Sequence, residues 1–291
     1  MHRIRQVYFA FAAIGVIALG ACGEEAAPAS ESTAEAPSPL RLYVFDCGEI
    51  RVDAESVAIF SLTAEEAGTE ILVVPCYVIE HPQGRFLWDA GVPAELAAEE
   101  GWQDAYDFST RLDRTLADQL GDLGLESSDI DLVAFSHMHW DHVAQANQFT
   151  DSIHLIQRKE HEAAFVPEPT VPGFDPALYA ALAANETLLL DGDHDVFGDG
   201  RVVIRSTPGH TPGHQCLYVD LANTGPIVLS GDLYHFAANR RLGRVPQFNF
   251  DETQTRESMA ALDRFLDESG ADLWIEHDSL RATKKAPEFY D

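Results

Sequence analysis

Three imidazoles and one carboxylate fall within six consecutive positions of this chain, in the pattern His137-x-His139-x-Asp141-His142. Imidazole and carboxylate groups are the ligands that hold zinc and similar divalent metal ions. A carboxylate directly before a histidine also suits a second metal ion close to the first. The pattern therefore predicts a site for one or two metal ions. The competing interpretation is a His-rich surface loop without metal.

The elements that must position these side chains are short apolar runs. One such run, at 130–135, precedes the motif and has the length and composition of a buried strand. Three further candidate ligands, His210, Asp232 and His277, also stand just past apolar runs. Pro and Gly around His210 predict a tight turn that fixes the direction of its side chain. Because loops at strand ends commonly carry function on a rigid scaffold, we expect these ligands to meet at one sheet edge.

Taken in order, these residues resemble the ligand pattern of the metallo-β-lactamase superfamily, and within it the N-acyl homoserine lactonase group. The resemblance covers residues 40–278. Asp89, at the end of another apolar run, matches the family's early Asp-x-Gly element. The resemblance implies an α+β fold, a four-layer αββα sandwich with the metals at one edge between two sheets. We expect Asp89 and His214 to form hydrogen bonds around the site rather than to bind metal.

The resemblance also implies how the ligands divide between two metal ions. The first ion would take His137, His139 and His210, and the second would take Asp141, His142 and His277. Asp232 would bridge the two ions. Lactonases carry an aspartate at this position and lactamase branches lack it, so Asp232 argues against a β-lactamase. Zn²⁺ is the expected metal, although the same ligands accept iron, manganese or cobalt.

The resemblance implies an N-acyl homoserine lactone as the substrate. The activity would then be hydrolysis of the lactone ring, which is quorum quenching. A hydroxide bridging the two metals would attack the lactone carbonyl, and one metal would stabilise the oxyanion. Asp141 could pass a proton to the departing alkoxide. One alternative is another hydrolase on the same metals: a broad esterase or lactonase, a thioesterase or a phosphodiesterase. Another is a non-catalytic metal-binding lipoprotein.

The chain departs from the lactonase pattern beside Asp232. The lactonases carry a tyrosine three residues past the bridging aspartate, where it can donate a hydrogen bond to the substrate carbonyl. Here Tyr234 stands two residues past Asp232 and His235 stands three residues past it. Either side chain can donate a hydrogen bond. The sequence therefore leaves open whether Tyr234, His235 or neither contacts the substrate.

Two segments rich in aromatic residues, 102–108 and 165–179, lie where the family has loops that cover the substrate. Their side chains could line an apolar groove for an acyl tail, or could simply pack the loops together. Their aromatic content favours an apolar substrate over a sugar phosphate.

Composition limits the class of partner. The chain has 291 residues, of which 46% are apolar, and a formal net charge of −29. About 250 residues beyond an N-terminal leader are enough for one domain with a large core. The negative surface repels nucleic acid phosphates and anionic lipid headgroups. We therefore expect a small-molecule acyl lactone or ester substrate, no nucleic acid partner, and membrane contact only through a lipid anchor.

Residues 1–21 have the pattern of a lipoprotein signal peptide. A basic start and a short apolar run at 7–19 lead to Leu-Gly-Ala-Cys at 19–22, which resembles a bacterial lipobox. We expect cleavage before Cys22 and lipid attachment to its sulfur, or otherwise a plain secreted protein. Residues 22–39 would be a disordered tether rich in Ala, Glu, Ser and Pro, and 40–291 the hydrolase domain. Gly23 favours the outer membrane, and hence a periplasmic or cell-surface location.

Three further cysteines, Cys47, Cys76 and Cys216, lie outside the ligand positions, so we expect them in the core. An oxidising compartment permits a disulfide, and Cys47 and Cys76 lie on strand-like runs that could be neighbours. The hydrophobic pattern predicts strands at 42–45, 71–79, 85–89, 131–135, 153–156, 201–205, 216–219 and 227–229. It predicts helices at 109–120, 158–164 and 252–268.

Overall fold

The computed structural model of the protein describes residues 39–278 and 283–291. The predicted signal peptide, and all of the predicted tether except residue 39, lie outside the described residues and stay predictions. Across the two described ranges, no helix is both long and apolar enough to cross a bilayer.

Strands from the first two thirds of the chain form the larger of two sheets. They are β1 (Arg41–Arg51), β2 (Ile71–His81), β3 (Gly84–Trp88), β4 (Gln103–Ala105), β5 (Phe108–Arg111), β6 (Leu132–Ala134), β7 (Ile153–Gln157) and β8 (Thr187–Leu190). Their order across the sheet is β4-β5-β1-β2-β3-β6-β7-β8. Strands β3, β6, β7 and β8 are parallel neighbours, so their carboxyl ends lie along the same edge.

The smaller sheet is built from the strands that follow in the chain. They are β9 (His194–Asp195), β10 (Val202–Ser206), β11 (Gln215–Leu221), β12 (Gly225–Leu229) and β13 (Asp272–Trp274). Their order is β13-β12-β11-β10-β9, and β12 and β13 are parallel. The last strand, β14 (Phe289–Tyr290), returns to the larger sheet and pairs with β1.

Helices occupy the segments between the strands. They are α1 (Ala64–Ala67), α2 (Leu116–Asp122), α3 (Trp140–Val143), α4 (Arg158–Ala164), α5 (Ala237–Leu242) and α6 (Glu252–Ser269). Short 3₁₀ turns lie at Ser56–Phe60, Ala94–Ala98, Ser127–Asp129, Ala146–Gln148, Pro176–Leu178, Ala180–Ala184 and Gly231–Leu233. The predicted helix at 252–268 is confirmed: Asp251 caps its start and Gly270, with φ 69°, ends it.

Three layers of apolar side chains show how the sheets and helices stack. Successive residues of β1 point to opposite faces, so Leu42 and Val44 pack against the smaller sheet while Phe45 packs on the other side, under α2 and α4. The smaller sheet alternates likewise and presents its outer face to α6. Three apolar layers separate four layers of structure, which confirms the predicted αββα sandwich.

The predicted helix at 109–120 is wrong over its first half. Residues up to Arg111 belong to β5, which pairs with β1, and the helix begins only at Leu116 after a cap by Thr115. Leu112, Leu116 and Leu120 all lie in the same apolar cluster. Their spacing of four therefore reflects burial in one core and not one continuous helix, because Leu112 follows the end of β5 while Leu116 and Leu120 lie in α2.

Cys47, Cys76 and Cys216 are buried, as expected. Cys47 on β1 and Cys76 on β2 form a disulfide, with their Cα atoms 5.8 Å apart. This confirms that the two strands are neighbours. Cys216 is a free, buried thiol in β11.

Candidate metal centre

Candidate ligands from both sheets meet at the edge where strands end. The motif loop, residues 136–142, follows β6 of the larger sheet, and Asp232 and His277 follow the parallel strands β12 and β13 of the smaller one. His210 lies in the turn between β10 and β11. Their donor atoms form two groups, each with all atoms within 4.8 Å of one another. The structure thus brings together all seven residues that the sequence singled out.

The first group contains three imidazoles and one carboxylate: His137, His139, His210 and Asp232. His137 Nε2 lies 2.8 Å from His139 Nδ1 and 3.1 Å from His210 Nε2. Asp232 Oδ2 lies 3.3 Å from His210 Nε2 and 3.6 Å from His137 Nε2. The three ring nitrogens and the carboxylate oxygen therefore surround one point.

The second group contains Asp141, His142 and His277. Asp141 Oδ2 lies 3.8 Å from Nε2 of each of the two imidazoles. The other oxygen of Asp232, Oδ1, lies 3.3 Å from His142 Nε2 and 2.9 Å from His277 Nε2. One carboxylate thus presents a separate oxygen to each group, which is the arrangement of a bridging ligand.

Hydrogen bonds on the far side of the imidazoles determine which ring nitrogen holds the proton. His277 Nδ1 donates to the Val73 carbonyl at 2.8 Å, and His142 Nδ1 donates to Asp89 at 2.9 Å. His210 Nδ1 lies 3.0 Å from Asn249 Oδ1 and donates to it. Because carbonyl and carboxylate oxygens only accept, each Nδ1 carries a proton, so in the neutral ring each Nε2 keeps a lone pair. These lone pairs point into the two groups, as metal ligation requires.

Several of the inward-facing atoms lack any other partner. Among the described residues, His142 Nε2, His277 Nε2 and Asp232 Oδ1 are buried and make no hydrogen bond. Buried polar atoms normally have partners, and lone pairs held this close repel one another. A cation at each group would satisfy the unpaired atoms and remove the repulsion. The residues present therefore fit a pair of divalent metal ions.

The pKa shifts of the ligand side chains also favour the binding of cations at the centre. Burial holds the pKa of His137 and His139 well below the ordinary value, and neighbouring imidazoles lower it further. Burial alone would raise the pKa of Asp232, but His235, His277 and His142 lower it well below its usual range. His137 and His139 are therefore neutral beside an ionised Asp232, which is the protonation state that binds a cation. Burial opposes the change, but Asp232 and Asp141 raise the pKa of His142 and His277, so a cation at the second group would displace protons from these two rings.

Asp89 supports the motif loop and does not face either group. It sits at the end of β3 with φ 60°, and it accepts hydrogen bonds from the Ser136 amide at 2.6 Å and the Ser136 hydroxyl at 2.9 Å. It also accepts a hydrogen bond from His142 Nδ1 at 2.9 Å. This position matches the expectation that Asp89 orients ligands through hydrogen bonds.

His214 has a similar supporting position beside Asp232. Its Nδ1 faces the carbonyl of Thr207 at 3.1 Å, and its Nε2 accepts from the Asp232 amide at 2.9 Å. The intervening Gly231 has φ 48°, and a Cβ there would lie 2.7 Å from both His214 Nε2 and Ser136 Cβ. Only glycine allows the chain to pass this closely, so these residues together fix the backbone from which Asp232 projects.

Tyr234 and His235 point in opposite directions. Tyr234 is buried in the apolar cluster between the smaller sheet and α6, beside Met259 and Leu262. The prediction of a catalytic role for Tyr234 is therefore wrong, because successive residues of the extended chain project to opposite sides. His235 lines the cavity above the metal centre, and its Nε2 lies 2.9 Å from Asp232 Oδ2.

A cavity of about 460 Å³ opens directly onto the two groups. Its floor includes Asp141, Asp232 and His277. Its walls are mainly apolar and include Ile50, Phe60, Leu72, Phe108, Trp140 and Phe248. Apolar walls with a few polar groups at one end are typical of small-molecule sites.

The two aromatic segments cover this cavity, but only some of their rings line it. Tyr106 and Phe108 line the wall, and Tyr106 stacks on Trp140 with ring centroids 4.8 Å apart. Segment 165–179 lines the cavity through Pro172 and Gly173. Other rings pack elsewhere: Trp102, for example, lies beneath the guanidinium of Arg51. Both interpretations of these segments are therefore correct in part.

Sequence reasoning missed the supporting groups that lack a motif of their own. Asn249, in the loop before α6, and the Val73 carbonyl, in β2, orient ligands from distant segments, and nothing in their local sequence marks them. Glu276 is buried beside Asp89, and both of its oxygens lack a hydrogen bond among the described residues. Burial and the Asp89 carboxylate raise the pKa of Glu276 well above its usual value. Its place directly before His277 was the one available signal.

Comparison with known proteins agrees with this geometry. The family model of the metallo-β-lactamase superfamily matches residues 70–278. The N-acyl homoserine lactonase AttM of Rhizobium radiobacter is 30% identical over 264 residues, covering 86% of this chain and 98% of the relative.

Solved structures show the same fold. One is an N-acyl homoserine lactone hydrolase with the product N-hexanoyl-L-homoserine at its catalytic metal centre, with TM-score 0.71, 24% identity, and coverage of 86% and 98% of the two chains. Another is AidC, a dizinc quorum-quenching lactonase, with TM-score 0.62, 19% identity, and coverage of 87% and 94%. The chain therefore belongs to the metallo-β-lactamase superfamily and, within it, to the hydrolases that resemble the N-acyl homoserine lactonases.

Proposed function

We propose that the protein opens the lactone ring of N-acyl homoserine lactones with a pair of divalent metal ions. The observation that carries this proposal is Asp232, whose two oxygens face two separate groups of ligands at the floor of an apolar cavity. The relatives named N-acyl homoserine lactonases match over nearly their whole length, which supports the choice of substrate. Zinc is the proposed metal because imidazole and carboxylate ligands suit it.

The chain's residues divide the work of ring opening. When bound, two divalent cations would supply a water of lowered pKa and would polarise the substrate carbonyl. The three imidazoles of the first group and the two of the second hold their lone pairs toward the reaction centre. Asp232 keeps both groups at a fixed separation. With the cations bound, all five imidazoles would be neutral ligands, and Asp141 and Asp232 would be the only charged groups among the seven.

Asp141 is the proposed proton carrier. It lines the cavity, and its side chain is 12% exposed, whereas those of His142 and His277 are 1% exposed. A carboxylate with one oxygen toward the metal and another toward the substrate can hold a proton and deliver it to the departing ring oxygen. Its place between Trp140 and His142 fixes this orientation.

His235 is the proposed contact to the substrate carbonyl. It is buried at the wall of the cavity between Phe60 and Phe248, with ring centroids 4.9 and 5.5 Å from theirs. Its Nε2 faces Asp232, and its Nδ1 has no partner among the described residues. Because a carboxylate only accepts, Nε2 carries the proton of this ring. With cations on the Asp232 oxygens, this N–H would be free to donate one hydrogen bond to the substrate carbonyl oxygen, where negative charge develops.

The apolar walls suit the acyl tail. Phe60, Phe108, Trp140 and Phe248 would exclude water from a hydrocarbon chain, while the lactone lies at the polar floor. A phosphodiester carries a negative charge, which these walls would not solvate. The cavity therefore favours a neutral lactone over the phosphodiester alternative.

We further propose a periplasmic or cell-surface location with a lipid anchor at Cys22, most consistent with an outer-membrane lipoprotein. The disulfide between Cys47 and Cys76 supports this location, since disulfides persist in oxidising compartments. Cell fractionation tests it. The wild-type chain should sediment with membranes, and Cys22→Ala should leave the protein unlipidated and lacking its anchor. Recovery of lipid-free wild-type protein from the cytoplasm would contradict this proposal.

A substrate panel on protein of known metal content tests the activity. We expect two metal ions per chain. The rate of acid release should be higher with acyl homoserine lactones of several tail lengths than with aryl esters, a phosphodiester or a β-lactam. Asp232→Asn should lose more than the roughly 10–100-fold in metal affinity that the loss of an outer partner of a ligand costs, because Asp232 itself faces both groups. Asp220→Asn, on the exposed face of β11, should keep the wild-type affinity. Faster hydrolysis of the phosphodiester would overturn the choice of substrate, and unchanged metal content in Asp232→Asn would overturn the bridge.

A further inference from the structure

A buried carboxylate outside both ligand groups joins the two loops that carry the first group. Glu160 lies in the first turn of α4 and is 1% exposed. Its Oε1 accepts from the Met138 amide at 2.9 Å, and its Oε2 accepts from the Gly213 amide at 2.7 Å. Met138 sits between two imidazoles of the first group, and Gly213 lies in the turn that carries the third.

The two loops come from different sheets, so the contact through Glu160 links the metal edges of both sheets. The motif loop follows β6 of the larger sheet, and the turn at 207–214 joins β10 to β11 of the smaller sheet. Apolar packing between the sheets sets their spacing but has no directional preference. Ligand geometry must hold to within about 0.5 Å, which requires directional contacts at the metal edge. Glu160 makes such a contact to each loop with a single side chain.

Gly213 shows that the turn is shaped around Glu160. A Cβ at Gly213 would lie 2.6 Å from both the Cβ and the backbone nitrogen of Glu160, and 2.9 Å from Gln157 Cβ. Real Cβ atoms do not approach so closely, so any side chain at this position would push the turn away from α4. Glycine is needed here for space.

The chemistry of the carboxylate also matters. Burial raises the pKa of Glu160 to about 7, although the amides of Gly213 and Met138 oppose this rise. Burial of a carboxylate is costly, yet glutamine could not replace it without loss. A glutamine side chain has one acceptor oxygen, and its NH₂ group would face the hydrogen of the second amide. Two backbone donors that converge from two loops therefore call for a carboxylate.

We propose that Glu160 is a positioning residue for the first metal ion. It holds the motif loop and the His210 turn at the separation at which their three imidazoles share one cation. This inference rests on the proposed metal centre. It adds to that centre a residue that contacts neither metal nor substrate and acts only through the backbone of the ligand loops.

Metal titration of the full chain tests the inference without reference to activity. Protein stripped with a chelator would be titrated with Zn²⁺ by calorimetry and with Co²⁺ by its visible absorption. We expect wild type to bind two ions, and Glu160→Gln to bind one of them 10–100-fold more weakly. Gly213→Ala should weaken the same ion through the other end of the contact. Glu162→Gln, on the exposed face of the same helix, is the matched control.

The outcomes separate the inference from the proposed centre. Wild type that binds no metal would refute the centre itself, and the inference with it. Glu160→Gln could instead bind both ions with wild-type affinity and differ only in a lower melting temperature of the metal-free protein. That result would refute the inference and show that Glu160 only stabilises the fold. If Glu160→Gln fails to fold, Gly213→Ala decides the question, and wild-type affinity in that variant would refute the inference.

Discussion

At the scale of single residues, the orientation of each imidazole decides what the centre can do. His142, His210 and His277 each donate an Nδ1 hydrogen bond to a different acceptor: a carboxylate, a side-chain amide oxygen and a backbone carbonyl. The result is the same in all three, namely an Nε2 lone pair that faces inward. The sequence singles out these three histidines and Asp89, but Asn249 and Val73, the other two acceptors, lie in segments without any such pattern.

Opposite orientations of neighbouring side chains give a sharp prediction at this scale. His235→Phe should lower kcat by roughly 100-fold, the usual cost of one lost donor to an oxyanion, with metal content unchanged. Tyr234→Phe should keep kcat within about twofold, because Tyr234 lies in the apolar cluster beneath α6. Steady-state kinetics with matched metal analysis checks both variants. A larger loss in Tyr234→Phe than in His235→Phe would contradict the assignment.

At the scale of elements, a short hairpin and a long loop together close the cavity. Strands β4 and β5 meet at a two-residue turn, Tyr106-Asp107, in which both residues have positive φ, 50° and 68°. Left-handed backbone at residues other than glycine is uncommon and often marks functional sites. Here it places Tyr106 flat against Trp140, and its hydroxyl donates to Asp175 Oδ2 at 2.8 Å. The hairpin and segment 165–179 thus join over the ligand loop.

This junction predicts an effect on substrate binding. Tyr106→Phe keeps the stacking on Trp140 but loses the hydrogen bond to Asp175. One such bond near the surface contributes about 1 kcal/mol, so KM for a long-chain lactone should rise about fivefold while kcat holds. Tyr218→Phe, on the outer face of the smaller sheet, is the control. A fall in kcat at unchanged KM would show that the junction serves the chemical step instead.

At the scale of the whole molecule, burial of so many histidines ties stability to pH. His154 is buried with neither ring nitrogen bonded within the part of the chain that the structure describes, and burial, with a contribution from His161, lowers its pKa to about 3. His214 likewise has its pKa lowered to about 3, first by burial and then by His210. In the unfolded chain both would titrate near 6.5.

The sign of the pH dependence follows from these shifts. Below about pH 6.5 these two histidines bind protons in the unfolded chain but not in the folded chain. The free energy of unfolding therefore falls as the pH is lowered, until the pH reaches about 3. His154→Leu removes one such group and should flatten this fall, at about 1.4 kcal/mol for each pH unit in the window. Chemical denaturation of metal-free protein across this range measures it.

The disulfide makes a separate contribution to the stability of the whole domain. It closes a loop between positions 29 residues apart in the chain. Chain-entropy arguments assign such a cross-link about 3–4 kcal/mol. The double variant Cys47→Ala/Cys76→Ala should lose about this much free energy of unfolding in denaturant titrations. Cys216→Ala, which removes a free buried thiol, should lose only about 1 kcal/mol. Equal losses would show that packing, and not the cross-link, sets the stability.

The sequence alone determined the ligand types, their order and most of the strands that carry them. This was possible because metal ligands occur in a dense local motif and because buried strands form apolar runs. It also determined the αββα layering through the family resemblance. It failed at 109–120, where leucines from a strand end and a helix share one core.

Only the tertiary structure decided which side chains face the cavity and what supports them. The choice between Tyr234 and His235 depends on the direction of the chain after β12, and the role of Glu160 depends on two amides 75 positions apart. Directional contacts between distant segments leave no periodicity in a sequence, because each requires only one residue on each side. Such contacts become visible once the two sheets are packed and the loops at their common edge take fixed positions.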